Sequence, residues 1–143
     1  MNDKYTAEAK TTIYAPASKV WDAITKPNLI KQYLFDTDVI SDWKEGSPIT
    51  YKGEWEGKSF EDKGKILKME PKKILRSTHW SPLSGVPDTP ENYHTVTYQL
   101  MERNGGTEVT ITQDNNANAE EKAHSEQNWR TVLDGMKKML EEK

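Results

Sequence analysis

The last stretch of the chain alternates apolar and polar positions with the period of a helix. The i, i+3, i+4, i+7 spacing of a single helix face is followed by Trp129, Val132, Leu133, Met136 and Leu140. This pattern predicts one long amphipathic helix over residues 119–142. Because such a helix gains most of its stability by burying its apolar stripe, we expect it to pack against the rest of the domain.

Upstream of that helix, the pattern has the period of strands. Residues 5–13 alternate strictly and predict a first strand. Pro16 and Pro27 then mark the starts of two short helices. Residues 37–115 consist of short alternating segments separated by turn sequences such as Glu56-Gly57 and Asn104-Gly105-Gly106. They predict about six strands in an antiparallel meander.

The order of these elements predicts an α+β fold, in which the helices cover one face of an antiparallel sheet. A sheet that curves around the final helix leaves a cavity between the two. We expect all 143 residues to form a single domain, since the length fits one domain with a real core.

Composition narrows the classes of partner. The net charge of −3 is mild and lysines are spread among acidic residues, which argues against nonspecific binding to nucleic acid or an anionic membrane. The chain has no cysteine, which excludes disulfides, thiolate metal sites and cysteine nucleophiles. No apolar window is long enough to span a bilayer. We therefore expect a soluble, cytoplasmic protein.

Three segments carry a resemblance to a known family: TIYAPASKVWDAIT at residues 12–25, GKILKMEP at residues 64–71, and the final helix from Asn128-Trp129 to Glu142. In order and spacing, the chain resembles the START/Bet v 1-like (SRPBCC) superfamily and, within it, the family named after the activator of Hsp90 ATPase. The resemblance implies a helix-grip fold, with a sheet wrapped around the C-terminal helix and two short helices after the first strand. Members bind apolar small molecules, act as cyclases or assist a chaperone.

Aromatic residues are the candidates for a binding site. Those on segments that could face the space between sheet and helix are Tyr33, Tyr51, Trp55, Trp80, Tyr98 and Trp129. Any one of them could simply fill the core, but buried Tyr hydroxyls and Trp N–H groups need partners, which a cavity with a guest supplies. Together with Leu133, they predict noncatalytic binding of a small, largely apolar ligand, without a cofactor.

The polar side chains give weaker indications of a functional site. His79 and His94 lie on neighbouring predicted strands and His124 opens the final helix, but no pattern of metal ligands accompanies them. The acidic residues of the 54–62 hairpin alternate with lysines, which is typical of a solvated surface. They are Glu54, Glu56, Glu61 and Asp62.

Two alternatives to ligand binding stay open. A cyclase or hydrolase would need a buried carboxylate or histidine that opens into the pocket. A protein-interaction module, with chaperone contact as the family implies, would need a large exposed apolar patch on the outer face of the sheet.

Overall fold

The computed structural model describes residues 5–34, 36–82 and 85–141. Its helices are α1 (Ala17–Thr25), α2 (Pro27–Tyr33) and α3 (Ala119–Glu141), with a short 3₁₀ turn at Pro90–Asn92. Its strands are β1 (Ala7–Ile13), β2 (Asp38–Ser41), β3 (Pro48–Trp55), β4 (Lys58–Glu70), β5 (Ile74–His79), β6 (His94–Arg103) and β7 (Gly106–Gln113).

The strands form one antiparallel sheet in the order β1-β7-β6-β5-β4-β3-β2. From β2 to β7, sequential strands are neighbours, so the predicted meander is confirmed. The first strand joins at the far edge, where Ala9 pairs with Ile111 of β7. Strands β1 and β2 are therefore the two edges of an open sheet, and the α+β, helix-grip prediction is confirmed.

Two hairpins have the turns that the sequence predicts. Glu56 and Gly57 join β3 to β4 with φ of 49° and 80°, and Asn104 and Gly105 join β6 to β7 with φ of 45° and 83°. Two successive residues at positive φ characterise the type I′ turn, whose twist matches that of the flanking strands. Asparagine and glycine are the residues that tolerate this conformation best.

Helix α3 begins at a side-chain cap. Asn118 Oδ1 accepts a hydrogen bond of 2.8 Å from the Glu121 N–H, and Glu121 Oε1 accepts one of 2.7 Å from the Ala117 N–H. These bonds satisfy amide groups that a helix start leaves unpaired. The predicted apolar stripe is buried in the core at Val132, Leu133 and Met136, with Trp129 and Leu140 packed at its edge. The closest backbone neighbours of α3 are β1 and then α2.

A close approach of two strands occurs at Gly64 of β4. A Cβ placed there would lie 1.7 Å from the carbonyl oxygen of Thr78 on β5, so only glycine fits. The register between β4 and β5 then shifts between Ile66 and Lys68. An irregularity of this kind bends a strand and increases its twist, which helps a sheet to wrap around a helix.

Candidate functional site

Three of the predicted aromatic residues gather between the sheet and the helices. Tyr33 comes from α2, Tyr51 from β3 and Tyr98 from β6. Burial raises the pKa of Tyr33 well above its usual value, and the nearby phenols of Tyr98 and Tyr51 raise it further. The three rings therefore lie within electrostatic reach of one another, although more than sixty residues separate the first from the last in sequence.

Two properties describe the surroundings of Tyr51 and Tyr98. Burial raises the pKa of Tyr51 to about 12 and raises the pKa of Tyr98 strongly as well. Nevertheless, both side chains are only half-buried and keep accessible surface. Bulk water would hydrate a ring at the protein surface and leave its pKa near normal. Both properties are expected of side chains that border an internal recess.

Trp129 joins this group from α3. Its ring meets that of Tyr98 edge to face, with centroids 6.0 Å apart and planes at 83°. Its Nε1–H donates to Gln113 Oε1 over 2.8 Å, and the Gln113 amide nitrogen lies 3.3 Å from both Asn116 Oδ1 and Ser125 Oγ. The partner of the indole N–H is therefore a side-chain amide of the protein itself.

The hydroxyl group of Tyr33 also has a hydrogen-bond partner within the protein. Its hydroxyl donates to the carbonyl oxygen of Ala23 in α1 over 2.8 Å. Tyr33 and Trp129 therefore need no cavity or guest to pair their polar groups, contrary to the expectation from the sequence. The half-buried state of Tyr51 and Tyr98 carries the argument instead.

A carboxylate and a histidine lie beside Tyr51. Asp62 stands directly opposite Tyr51 in the β3–β4 register and therefore shares its face of the sheet. Asp62 Oδ2 lies 2.9 Å from His79 Nε2, while Asp62 Oδ1 is buried and has no hydrogen-bond partner among the residues that the structure describes. The Tyr51 and His79 rings meet edge to face at 5.5 Å.

The prediction of a solvated acidic hairpin is wrong for Asp62, whose side chain is only 15% exposed. The signal was present in the strand period, because Asp62 lies two residues from Gly64 and four from the fully buried Ile66. Its neighbours Glu61 and Lys63 alternate to the other face and are exposed. Because most residues of this hairpin are charged, the inward position of Asp62 was not recognised from the sequence.

The two strand histidines lie on neighbouring strands, as predicted. His79 and His94 are direct partners in the β5–β6 register, and His94 Nδ1 lies 2.8 Å from the carbonyl oxygen of Asp114. Over the described ranges, no three residues of the types His, Cys, Asp and Glu come together in a way that could hold a metal ion.

The structure does not bring Trp80 to the tyrosine group, by which we mean Tyr33, Tyr51 and Tyr98. Trp80 forms a bridge with Lys63, and because side chains alternate along β5 it faces away from His79. Its ring stacks on Tyr93 at 6.4 Å, and its Nε1–H donates to the carbonyl oxygen of Val86 over 3.2 Å. It packs beneath the 85–93 segment.

The last two predicted residues give less information. Leu133 is 1% exposed and belongs to the closed hydrophobic core, so its contact with a ligand stays a prediction. Trp55 ends β3, and its side chain lies outside the described residues.

An open groove of about 700 Å³ lies elsewhere, between the start of α1 and the turn that joins β4 to β5. None of the seven predicted residues borders it. Charged side chains dominate the β4–β5 side of this groove, namely Lys68, Glu70, Lys72 and Lys73. An apolar guest prefers an enclosed, aromatic-lined site, so we place the candidate site at the tyrosine group.

Comparisons with known proteins agree with this architecture. The family model of the Activator of Hsp90 ATPase homolog 1-like protein matches residues 14–141. A search of curated proteins gives no match. No helix in the described part of the chain has both the length and the apolar character needed to cross a membrane.

Solved structures give the same fold. The solution structure of ChR145 from Cytophaga hutchinsonii is 54% identical, with 99% of this chain and 97% of that chain covered and a TM-score of 0.86. The Aha1 dimer from Colwellia psychrerythraea is 23% identical, with coverages of 95% and 96% and a TM-score of 0.75. CalU16 from Micromonospora echinospora is 21% identical, with coverages of 95% and 76% and a TM-score of 0.76. From the family match and its extent, the chain belongs to the Activator of Hsp90 ATPase homolog 1-like family.

Proposed function

We propose that the protein binds a small, largely apolar molecule between the sheet and α3, in a recess bordered by Tyr33, Tyr51, Tyr98 and Trp129. The observation that carries this proposal is the state of Tyr51 and Tyr98. Burial dominates their raised pKa values, and yet both keep accessible surface. A guest that fills the recess would cover this surface and gain the corresponding hydrophobic stabilisation.

The arrangement of α3 supports the same proposal. The helix backbone lies closest to β1, at one edge of the sheet, and next to α2, which packs beside β2 at the other edge. The central strands therefore face it across a wider gap, which long side chains such as Tyr98 and Trp129 bridge at a centroid distance of 6.0 Å. Sites for small ligands are typically lined by apolar and aromatic side chains with a few polar groups, as this gap is.

A protein-interaction module is less well supported. Among the side chains that the structure describes, the exposed large apolar ones belong to five separate segments, and they are Tyr14, Ile40, Leu67, Val86 and Met101. Isolated apolar residues are normal on a protein surface, whereas a docking face needs a contiguous patch. An enzyme that uses the same recess is the second candidate, and the Asp62–His79 pair is the observation that favours it.

Binding is tested by titrating the protein with decanoic acid and with a polarity-sensitive dye while indole emission is recorded. We expect saturable binding in the micromolar range, about −8 kcal/mol. Tyr98→Leu should weaken it at least tenfold, because the ring that meets Trp129 is lost. Tyr14→Leu is the matched control, since Tyr14 is 64% exposed and outside the recess. Absence of saturable binding by both probes, or equal losses in the two variants, would contradict the proposal.

A further inference from the structure

The side chains of the Asp62–His79 pair are mostly buried, but both keep some contact with solvent. The side chain of Asp62 is 15% exposed and that of His79 is 30% exposed. Both residues share the face of the sheet that carries Tyr51, as the β3–β4 register and the edge-to-face contact of the Tyr51 and His79 rings show. The pair therefore lies at the proposed recess.

The contact between the two residues determines which imidazole nitrogen carries a proton. An ionised carboxylate only accepts hydrogen bonds, so the 2.9 Å contact requires a proton on Nε2 of His79. In the neutral ring, Nδ1 is then an acceptor with a free lone pair. A carboxylate behind an imidazole fixes this tautomer and strengthens the other nitrogen as an acceptor.

The polar groups that the structure describes near His79 have other hydrogen-bond partners and do not donate to its Nδ1. The Tyr51 hydroxyl is within hydrogen-bonding reach of Ser77. The register partner of His79 is His94, whose Nδ1 is engaged by the carbonyl oxygen of Asp114. Within the described residues, the His79 imidazole has no hydrogen bond other than the one to Asp62.

We propose that His79, oriented by Asp62, accepts a hydrogen bond from the bound guest, and that the ligand class is an apolar ring compound carrying a hydroxyl group. This proposal rests on the proposed function, because it concerns the same recess. A guest without a donor would cover Nδ1 and strip its water without replacing the hydrogen bond. Sites that hold a polar group for a substrate hydroxyl reject the analogue without it for the same reason. Asp62 acts as a positioning residue, because its Oδ2 contacts Nε2 of His79 over 2.9 Å and fixes the orientation of the ring.

Three probes of similar shape test the inference: naphthalene, 1-naphthol and 1-methoxynaphthalene. Only 1-naphthol donates a hydrogen bond, and naphthalene controls for the greater size of the methoxy compound. We expect the unmodified protein to bind 1-naphthol at least tenfold more tightly than the other two. His79→Phe should bind all three alike and keep the affinity for naphthalene, and Asp62→Asn should reduce the preference for 1-naphthol.

A measurement on the unmodified protein makes the test independent of variant folding. The chain has three histidines, so the imidazole ¹⁵N resonances of the unmodified protein are assigned by the signals that disappear in His79→Phe and in His124→Ala, the latter at an exposed position. We expect 1-naphthol, and not naphthalene, to shift the Nδ1 resonance of His79. A purely structural role for the pair would leave that resonance in place.

The outcomes separate the two proposals. Saturable binding of none of the three probes overturns the proposed function itself. Equal binding of all three by the unmodified protein keeps the recess and overturns the role of His79. A preference for 1-naphthol that persists in His79→Phe also overturns it, because another group must then accept the hydrogen bond.

Discussion

Replacing Gly64 by alanine should destabilise the fold far more than a glycine-to-alanine change in a strand normally does. The added Cβ would lie 1.7 Å from the Thr78 carbonyl oxygen and 2.6 Å from its carbon. Real Cβ atoms do not approach closer than 3.0 Å, and the atoms in the way are backbone. Strands β4 and β5 must therefore separate locally.

The size of the effect follows from the hydrogen bonds at this point. Lys63 and Trp80 exchange two backbone bonds of 3.0 and 2.9 Å, and the Lys65 N–H donates to Thr78 Oγ1 over 3.0 Å. At about 1 kcal/mol each, their loss costs about 3 kcal/mol. Alanine recovers up to about 1 kcal/mol by restricting the unfolded chain. The net loss of about 2–3 kcal/mol is a large part of the 5–15 kcal/mol that stabilises a typical domain.

Urea unfolding followed by circular dichroism measures this loss. Gly53→Ala is the matched control, because Gly53 lies on the adjacent strand β3 and its added Cβ would meet only the far end of the Phe60 ring. That ring can rotate, so we expect a change within about 1 kcal/mol. If Gly64→Ala proves as stable as Gly53→Ala, the two strands can separate at no cost and the reasoning fails.

Three further predictions concern the whole molecule. Deleting residues from Glu126 onward removes the stripe that closes the core, so the product should show no cooperative thermal transition; a transition near the full-length value would contradict this. Chelator treatment should leave the melting temperature unchanged, because the described residues contain no metal-binding cluster; a drop restored by one divalent ion would contradict it. The stabilisation that Tyr51 contributes should be fully present below about pH 10 and should be lost as pH rises through about 12, since its pKa is raised from 10.0 to about 12 and the unfolded chain releases this proton first. Absorbance of tyrosinate and far-UV circular dichroism should then change together, and early ionisation of all six tyrosines in the folded protein would refute the burial of Tyr33, Tyr51 and Tyr98.

Local patterns explain why most of the fold could be predicted. The stripe of α3 and the hairpin turns at Gly57 and Gly105 depend on residues close in sequence, and all three are confirmed. The partners of Tyr33 and Trp129 could not be found in this way. They lie 10 and 16 residues away on other elements, and only the packed fold brings them into contact.

The candidate site was predictable only in part. The face of the sheet on which a residue lies is set by its position in the strand, even where its size or charge favours the other face. Trp80 is large and apolar, which favours an inward position. However, Leu75, Ser77 and His79 point inward along this strand, so Trp80, one position further, points outward. Asp62 is charged, which favours an outward position, but it lies opposite Tyr51 in the β3–β4 register and therefore faces inward. In both cases the period of two decides the face.

The side chains of α3 also hold the outer edge of β1. The backbone N–H groups of Glu8 and Tyr14 donate to the carboxylates of Glu126 and Glu141 over 3.1 and 2.7 Å, and Lys137 Nζ donates to the carbonyl oxygen of Thr12 over 2.6 Å. Exposed edge groups of this kind otherwise invite pairing with another chain.

This edge has a consequence for synthesis of the protein. The bonds join residues 118 and 127 positions apart, so β1 is made about a hundred residues before the helix that covers it. At roughly 5–20 residues per second, the strand waits on the order of 5–20 s for both its sheet neighbour and its cover. Contacts of such long sequence separation also slow folding itself. The nascent chain is therefore most exposed to wrong pairing through its first strand, and release of the final helix ends that period.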